Sequence, residues 1–430
     1  MENNKEGKPI SSFILSQVIL IGIIYAAAQI FGYLEANIFN TYLVHVLNSP
    51  LIAITIMVNL SATVGLISNF LFGILSDNTR TKFGRRKPYI LFGGLLAGIM
   101  MILYAFSTDY LTAVFIDVVA IGIASNAYYV AQRVIIPDTI DIEYRGRANG
   151  IANVLGNVGL IISIAIFLII NEFFGEITPE GTIISRDGYI FSLSIGGFGI
   201  IIIGILSFLF LREKPVSEMP PKKSFSIELK EIFQFQELKK YKEFFKLILA
   251  YTIFQSGTGV IMPFLFVFIF DLGLSTLELI MIIGIAAPIL FIIILILGKI
   301  SDKYGRKKSL APTILISCVG FFMMTWLGLI SETLIFLFVI AFSLVLITIL
   351  GVIAPLDTLS QDLLPEDKRG KFFGILNIIF TVSQIIGATV GGIVAEIFGV
   401  AWIFTFAPIF FIASIPLFWR VKETLPEEFR

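Results

Sequence analysis

Apolar runs of about 20 to 30 residues recur twelve times along the chain, separated by polar connections. A run of that length crosses roughly 30 Å of hydrocarbon when wound as a helix. Lipid-exposed strands would have to close into a barrel with alternating apolar and polar positions, and no such alternation is present. The pattern predicts spanning helices at 14–43, 51–75, 88–107, 110–136, 147–171, 189–211, 245–270, 276–298, 309–329, 333–361, 371–397 and 401–420. The first run follows a short polar leader and continues past Ala26-Ala27-Ala28, so it reads as a span rather than a cleaved signal.

Composition agrees with the pattern. The 430 residues are 57% hydrophobic and 14% charged, with a mean hydropathy of +0.93, and a soluble chain of this length could not hide so much apolar surface. Charge adds sidedness. All but two of the 31 Lys and Arg fall on one side of the predicted spans; the exceptions are Arg186 and Arg133, the latter inside the fourth span. The positive-inside rule places both termini in the cytoplasm of a multi-pass protein of the cell membrane. Net charge is zero, which suggests no nucleic-acid partner. One cysteine, Cys318, and one histidine, His45, exclude internal disulfides and a Cys-based zinc site; no metal site is expected. His45 is expected to serve as an interfacial or capping residue. No Walker loop, HExxH or GxSxG occurs, so an enzyme is not expected.

The long polar connection divides the spans six and six. It implies a bundle over 1–211, a cytoplasmic linker over 212–244 with an amphipathic, membrane-surface helix, and a second bundle over 245–430. The halves echo each other. Residues 73–87 read GILSDNTRTKFGRRK and residues 298–308 read GKISDKYGRKK; RGRANGIAN from Arg145 matches RGKFFGILN from Arg369; Tyr25 and Gln29 match Tyr251 and Gln255. These pairs are separated by 221–226 residues, which implies two six-helix bundles related by a pseudo-two-fold along the membrane normal.

Gly-x-x-x-Asp followed by Gly-Arg and further basic residues after spans two and eight, with Arg-Gly opening spans five and eleven, resembles the major facilitator superfamily over the whole chain. The longer first copy, SDNTRTKFGRRKPYI, is similar to the loop of the sucrose-type and glycoside–cation symporters within it. The resemblance implies an all-α fold of twelve transmembrane helices in two bundles, alternating access, and a cavity lined by helices one, four, seven and ten. It also bears on span four: sucrose-type symporters carry an acid ahead of an Arg-x4-Asp, and Arg133 to Asp138 has that spacing, although Asp117 lies further from Arg133 than the family acid does.

The remaining motifs suggest roles. Gly73 and Gly298 are expected to let helix ends approach neighbours closely. Asp77 is expected to face the start of span eleven near Gly370, and Asp302 the start of span five near Gly146, as carboxylates at helix N-termini. Arg86, Lys87, Lys307 and Lys308 are expected to act as topology anchors. Arg133 costs about 2.5 to 3.5 kcal/mol at mid-membrane; its repeat counterpart is Asp357, and the two suggest a cytoplasmic gate, completed by Arg145 and Arg369, against the simpler reading that each pairs within its own half. Glu35 and Asp117, acids embedded in spans one and four, are candidates for coupling to H⁺ or Na⁺, the alternative being solvated positions at the outer boundary.

Substrate contacts are expected from Tyr25, Gln29, Asn126, Tyr129, Asn153, Tyr251, Gln255 and Gln384. Amides supply donors and acceptors and rings cover the C–H face of a sugar, so an uncharged, polyhydroxylated small molecule suits them. Asn149 and Asn157 are expected to bond between helices. No cofactor beyond the coupling ion is expected, and the working unit is expected to be a monomer in the bilayer. The sequence therefore points to a secondary active sugar or glycoside symporter; the alternatives are a drug or lipophile exporter of the same superfamily and a non-transporting receptor on the same fold.

Overall fold

The computed structural model describes residues 11–179, 181–213, 215, 222, 241–330, 334–363 and 369–424. Helices occupy the predicted apolar runs: α1 Ser12–His45, α2 Leu51–Asn78, α3 Lys87–Tyr104, α4 Tyr110–Arg133, α5 Arg145–Phe174, α6 Arg186–Phe210, α7 Lys242–Asp271, α8 Thr276–Tyr304 and α9 Arg306–Leu329. Consecutive pieces Ile335–Leu346, Ile347–Gly351 and Val352–Asp362 make α10; α11 is Arg369–Phe398 and α12 is Ile403–Trp419. Several helices run a turn beyond the apolar runs, because polar residues at the membrane surface continue the backbone hydrogen bonding. The linker helix expected within 212–244 falls almost wholly outside the described residues.

Three helices depart from regular geometry. In α4 residues Phe115–Ile121 form a π-helical turn, and in α10 Ile347–Gly351 do the same. In α7 a 3-10 turn at Met262–Phe264 surrounds Pro263, whose ring cannot take part in the helical ladder. The start of α4 is conventional. Asp109 caps it by accepting the Thr112 amide at 2.9 Å and its hydroxyl at 2.7 Å. Those bonds, the backbone one foremost, hold the Asp109 carboxyl below its ordinary value of 3.8. The cap is thus fully in place above that value and is lost as pH falls through the lower folded one.

One element was not legible as a span or a loop. Strands β1 Gly175–Thr178 and β2 Gly181–Ile184 pair antiparallel in register Gly175 with Ile184, making a small hairpin between α5 and α6.

The described residues cluster into two compact units. The first draws on the described residues within 1–38, 67–167 and 186–225, the second on those within 39–66, 168–185 and 226–430. Within the first, α3 and α6 meet through glycines: a Cβ on Gly98 would stand 2.4 Å from the Gly197 carbonyl, and one on Gly197 2.6 Å from the Gly98 carbonyl. Within the second, α7 and α11 meet the same way, with a Cβ on Gly387 placed 2.2 Å from the Ser256 carbonyl. Small residues let backbones touch where apolar side chains gain nothing over lipid. The second unit also contains the ends of α1 and α2 away from the basic clusters. There Asn40 donates to the Pro263 carbonyl at 2.9 Å, Asn59 to the Thr389 hydroxyl at 2.9 Å, and Glu396 accepts the Ile52 amide at 3.1 Å.

Substituting Gly98→Val should force α3 from α6 and lower stability by about 1 to 3 kcal/mol, read as an earlier thermal unfolding midpoint of the purified chain; a midpoint equal to the parent's would refute the packing role.

Candidate functional site

The first unit holds a cavity of about 420 Å³. Tyr25, Gln29 and Gly32 from α1, Tyr129, Gln132 and Arg133 from α4, and Asn153 and Asn157 from α5 form its wall. Tyr25 and Gln29 reach it together because residues four apart share a helix face. Gly32 leaves room for Tyr129, whose hydroxyl lies 3.0 Å from where a Cβ would stand. The Tyr25 hydroxyl is 3.5 Å from the Gln132 carbonyl and the Tyr129 hydroxyl 3.5 Å from the Ala28 carbonyl. Arg133 is exposed along this cavity, which removes the penalty of placing its charge against hydrocarbon.

Three corrections concern this wall. Asn126 is not among the wall residues; its amide donates to the Gly122 carbonyl at 2.7 Å and accepts from Asn69 at 2.6 Å. Asn69, from α2, also accepts from Arg133 at 3.5 Å, so it links the guanidinium to Asn126. Asn157 lines the cavity instead of bonding another helix, whereas Asn149 donates to the Arg145 carbonyl of its own helix at 2.9 Å.

The embedded acids influence each other. Glu35 on α1 and Asp117 in the π turn of α4 act on each other electrostatically. Asp117 is buried and Glu35 half-buried, so neither is a solvated boundary residue. Glu35 also acts on the Tyr129 phenol, and Arg133 acts on both Tyr129 and Tyr25, so acids, phenols and guanidinium form one electrostatic line along the cavity. Two carboxylates that feel each other's charge repel unless one is protonated or a cation is bound beside them. π turns recur where a helix must present a side chain off its regular register.

The second unit treats the repeat-related residues differently. Tyr251 is buried with its ring at 4.8 Å from Phe380, spent on packing rather than offered to a solute. Gln255 fits the expected role better: its amide oxygen is buried and accepts no hydrogen bond among the described residues, and the Thr258 hydroxyl one turn on is in the same condition. Gln384 is half-buried on α11, its backbone 3.2 Å from a Cβ placed on Gly259.

The loop between α2 and α3 is a structured cluster. Arg86, expected to be a topology anchor, is only 2% exposed. It donates to Asp138 at 2.7 Å and to the Ser76 hydroxyl at 2.5 Å, and it forms an ion pair with Asp77. Arg85 donates to the same Asp138, through Nε at 2.9 Å and through Nη2. Burial alone would lower the Arg85 value, but the hydrogen bond and charge of Asp138, with Asp77 and Glu213, hold its guanidinium above the ordinary range. The carboxylate of Asp77 is thus engaged by its own loop. Among the described residues, and apart from its own helix, no heavy atom lies within 4 Å of where a Cβ on Gly73 would be. Arg145 donates to the carbonyls of Pro137 and Ile140 at 2.9 and 3.1 Å, closing the end of the short helix Ile135–Thr139. The side chains of Asp302, Asp357 and Arg369, and the surroundings of Gly298, lie outside the described residues. His45 caps, as expected: its Nδ1 accepts the Ile184 amide at 3.2 Å.

Two acids missed in the sequence complete the loops. Glu213, just past α6, accepts the amides of Arg85, Arg86 and Lys87 at 2.7 to 3.1 Å, beside Gly84 at φ +109°. Glu423, just past α12, accepts the Lys307 amide at 2.9 Å beside Gly305 at φ +106°. In each case a carboxylate meets a helix N-terminus. A side chain on either glycine would also collide with that carboxylate: a Cβ would stand 2.6 Å from Glu213 Cδ or from Glu423 Oε2. The signal was present as a basic–acidic pair, Arg212-Glu213 and Lys422-Glu423, after the last span of each half.

A bundle of apolar helices with internal glycine contacts around a polar, partly charged cavity defines a membrane transporter. The chain belongs to the Major Facilitator Superfamily, whose sequence profile matches residues 19–359 and 347–429. Among curated proteins it is similar to the multidrug resistance protein MdtG of Proteus mirabilis, 29% identical over 184 residues, which is 40% of this chain and 41% of that one. It is also similar to the class H tetracycline resistance protein of Pasteurella multocida, 31% identical over 35% of this chain and 37% of that one. These matches therefore span about two fifths of either protein. Among solved structures, a bacterial homologue of the human lysosomal transporter Spinster, inward-facing and unoccupied, superposes with a TM-score of 0.72 at 14% identity over 96% of this chain and 97% of that one. A point mutant of the nucleoside transporter NupG gives 0.68 at 14% identity, covering 94% and 99%. At such identities the likeness is one of fold, and it agrees with a twelve-helix architecture.

Replacing Glu213 by Gln should weaken three charge-assisted bonds and lower stability by about 1 to 3 kcal/mol, with faster amide exchange at residues 85–87; unchanged exchange there would show that the cap carries no load.

Proposed function

We propose that this transporter couples the movement of a small, uncharged, polyhydroxylated solute, of the sugar or glycoside class, to H⁺ or Na⁺. The observation that carries the reading is the wall of the 420 Å³ cavity, where two tyrosines stand among Gln29, Gln132, Asn153 and Asn157. Amides offer both donors and acceptors to hydroxyls, and rings offer a face to C–H groups. The orphaned amide oxygen of Gln255 is an acceptor of the same kind in the second unit. Glu35 and Asp117 supply the coupling: their mutual repulsion is relieved by one proton or one monovalent cation. Through Tyr129 that charge change is felt at the solute cavity. The protein would work as a monomer in the cell membrane with both termini cytoplasmic, as the basic clusters imply.

A second reading, export of drugs or other lipophiles, is favoured by the similarity to multidrug, tetracycline and quinolone resistance proteins. Uptake of labelled sugars into proteoliposomes under imposed pH and Na⁺ gradients separates the two. Gradient-driven sugar accumulation supports the first; no sugar uptake together with dye efflux replaces it with the second.

Asp117→Asn and Glu35→Gln should each abolish gradient-driven accumulation while leaving solute counterflow, which needs no net ion movement. Accumulation within about twofold of the parent in both variants would remove the acids from the coupling role. Gln29→Ala and Asn153→Ala should raise the half-saturating solute concentration about tenfold each, the equivalent of one charge-neutral hydrogen bond.

A further inference from the structure

The guanidinium of Arg133 lies along the solute cavity, but its hydrogen bond goes to a residue outside the wall. Nη1 donates to Asn69 Oδ1 on α2 at 3.5 Å.

The carboxamide of Asn69 is used at both ends. Its oxygen takes the guanidinium, and its nitrogen donates to Asn126 Oδ1 on α4 at 2.6 Å. Asn126 repeats the pattern, accepting from Asn69 and donating to the Gly122 carbonyl at 2.7 Å. Gly122 is the residue that closes the π turn, because its own amide bonds the Asp117 and Val119 carbonyls. A chain of bonds, each donating in the same sense, thus leads from the cavity to the turn that carries Asp117. Bonds aligned in series polarise one another, so the positive charge at the head strengthens those behind it.

The chain leaves α4 and returns to it. Asn126 and Arg133 share a face of that helix two turns apart, and Asn69 joins them from the neighbouring helix. Amide pairs commonly fasten helices in a membrane, and an asparagine often donates to the carbonyl one turn back. Fastening alone would not favour any order among the links. Here the bonds inside the bundle are short, at 2.6 and 2.7 Å, whereas the one at the cavity is at the outer limit for a hydrogen bond. A solute oxygen that takes an N–H from Arg133 breaks that link first. Asn69 then loses the charge that polarises its bond to Asn126, and the π turn is held less firmly.

We infer that Asn69 is a positioning residue that ties the Arg133 side of the solute cavity to the π turn of Asp117, so that solute contact at Arg133 and ion occupancy at Asp117 alter each other. The part concerning solute and ion rests on the proposed function; the tie between Arg133 and the π turn does not. Such coupling is reciprocal, so the ion changes solute affinity by the factor by which the solute changes ion affinity. It is separate from the electrostatic line through Glu35, Tyr129 and Arg133, which survives removal of the Asn69 carboxamide.

The test is hydrogen–deuterium exchange of the purified full chain, read on peptides covering residues 115–122. Arg133→Ala should speed exchange there about threefold or more, although the substituted residue is about three turns away. In an Asn69→Ala or Asn126→Ala background the same substitution should add nothing. Exchange around Gly98 and Gly197 serves as the folding control, and if Arg133→Ala fails to fold, Arg133→Met, which keeps the length but donates no bond, replaces it. In proteoliposomes, Asn69→Ala and Asn126→Ala should each lower gradient-driven sugar accumulation about tenfold relative to counterflow. Unchanged exchange over 115–122 in the folded Arg133 variant, equal acceleration with and without the Asn69 carboxamide, or undiminished coupling in both asparagine variants would each overturn the inference. A parent that moves no sugar would instead overturn the sugar reading, and the exchange measurement would still decide whether Asn69 makes the tie.

Discussion

Hydrocarbon offers a charge no hydrogen bond, and the placement of almost every ionisable group here follows from that. A guanidinium facing lipid costs several kcal/mol, so Arg133 is turned along a cavity. An isolated carboxylate is no easier to bury, and Glu35 and Asp117 act on each other electrostatically. Backbone groups obey the same rule, which is why the spans are helices and why, among the described residues, the strands form a hairpin beyond them. Where water returns, charge becomes dense: Arg85, Arg86, Asp77, Asp138 and Glu213 form one cluster between α2 and α3.

Much of this was legible in the sequence because it rests on local chemistry. Apolar run length alone places the helices. The i, i+4 pair Tyr25 and Gln29 reaches the cavity as the helical period requires. What could not be read is what depends on distant chain. Asp138 follows α4 by a few residues, yet its partners are Arg85 and Arg86, more than fifty residues earlier. Glu213 reaches back further still. Tyr251 matches Tyr25 by repeat, but a phenylalanine of α11 has taken its ring, and nothing in the Tyr-x-x-x-Gln pattern encodes that neighbour. The hairpin escaped because four-residue strands rich in Gly, Ile and Thr look like any polar-edged turn.

The two acids that follow α6 and α12 show what the internal repeat preserves. Gly84 and Gly305 share a backbone conformation open to glycine, and each is followed by a helix start whose amides need an acceptor. Both halves solve this with a carboxylate from just past their final span. The shared element is thus a joint between the third and sixth helices of a half, while the side chains that would meet a solute have diverged.

The π turn of α4 has a consequence for how such a chain can change. A π turn is a helix that has absorbed one residue of slack, and each residue on a regular helix advances the face by about 100°. Positions before Phe115 and after Ile121 therefore keep separate registers, joined by a short elastic seam. Asp117 sits within that seam, and Arg133 lies about 24 Å further along the same helix. An insertion or deletion at the seam would turn one stretch against the other without disturbing either stretch's own packing. Under the proposed function, the ion chemistry and the solute chemistry of a single helix can in this way be retuned one at a time.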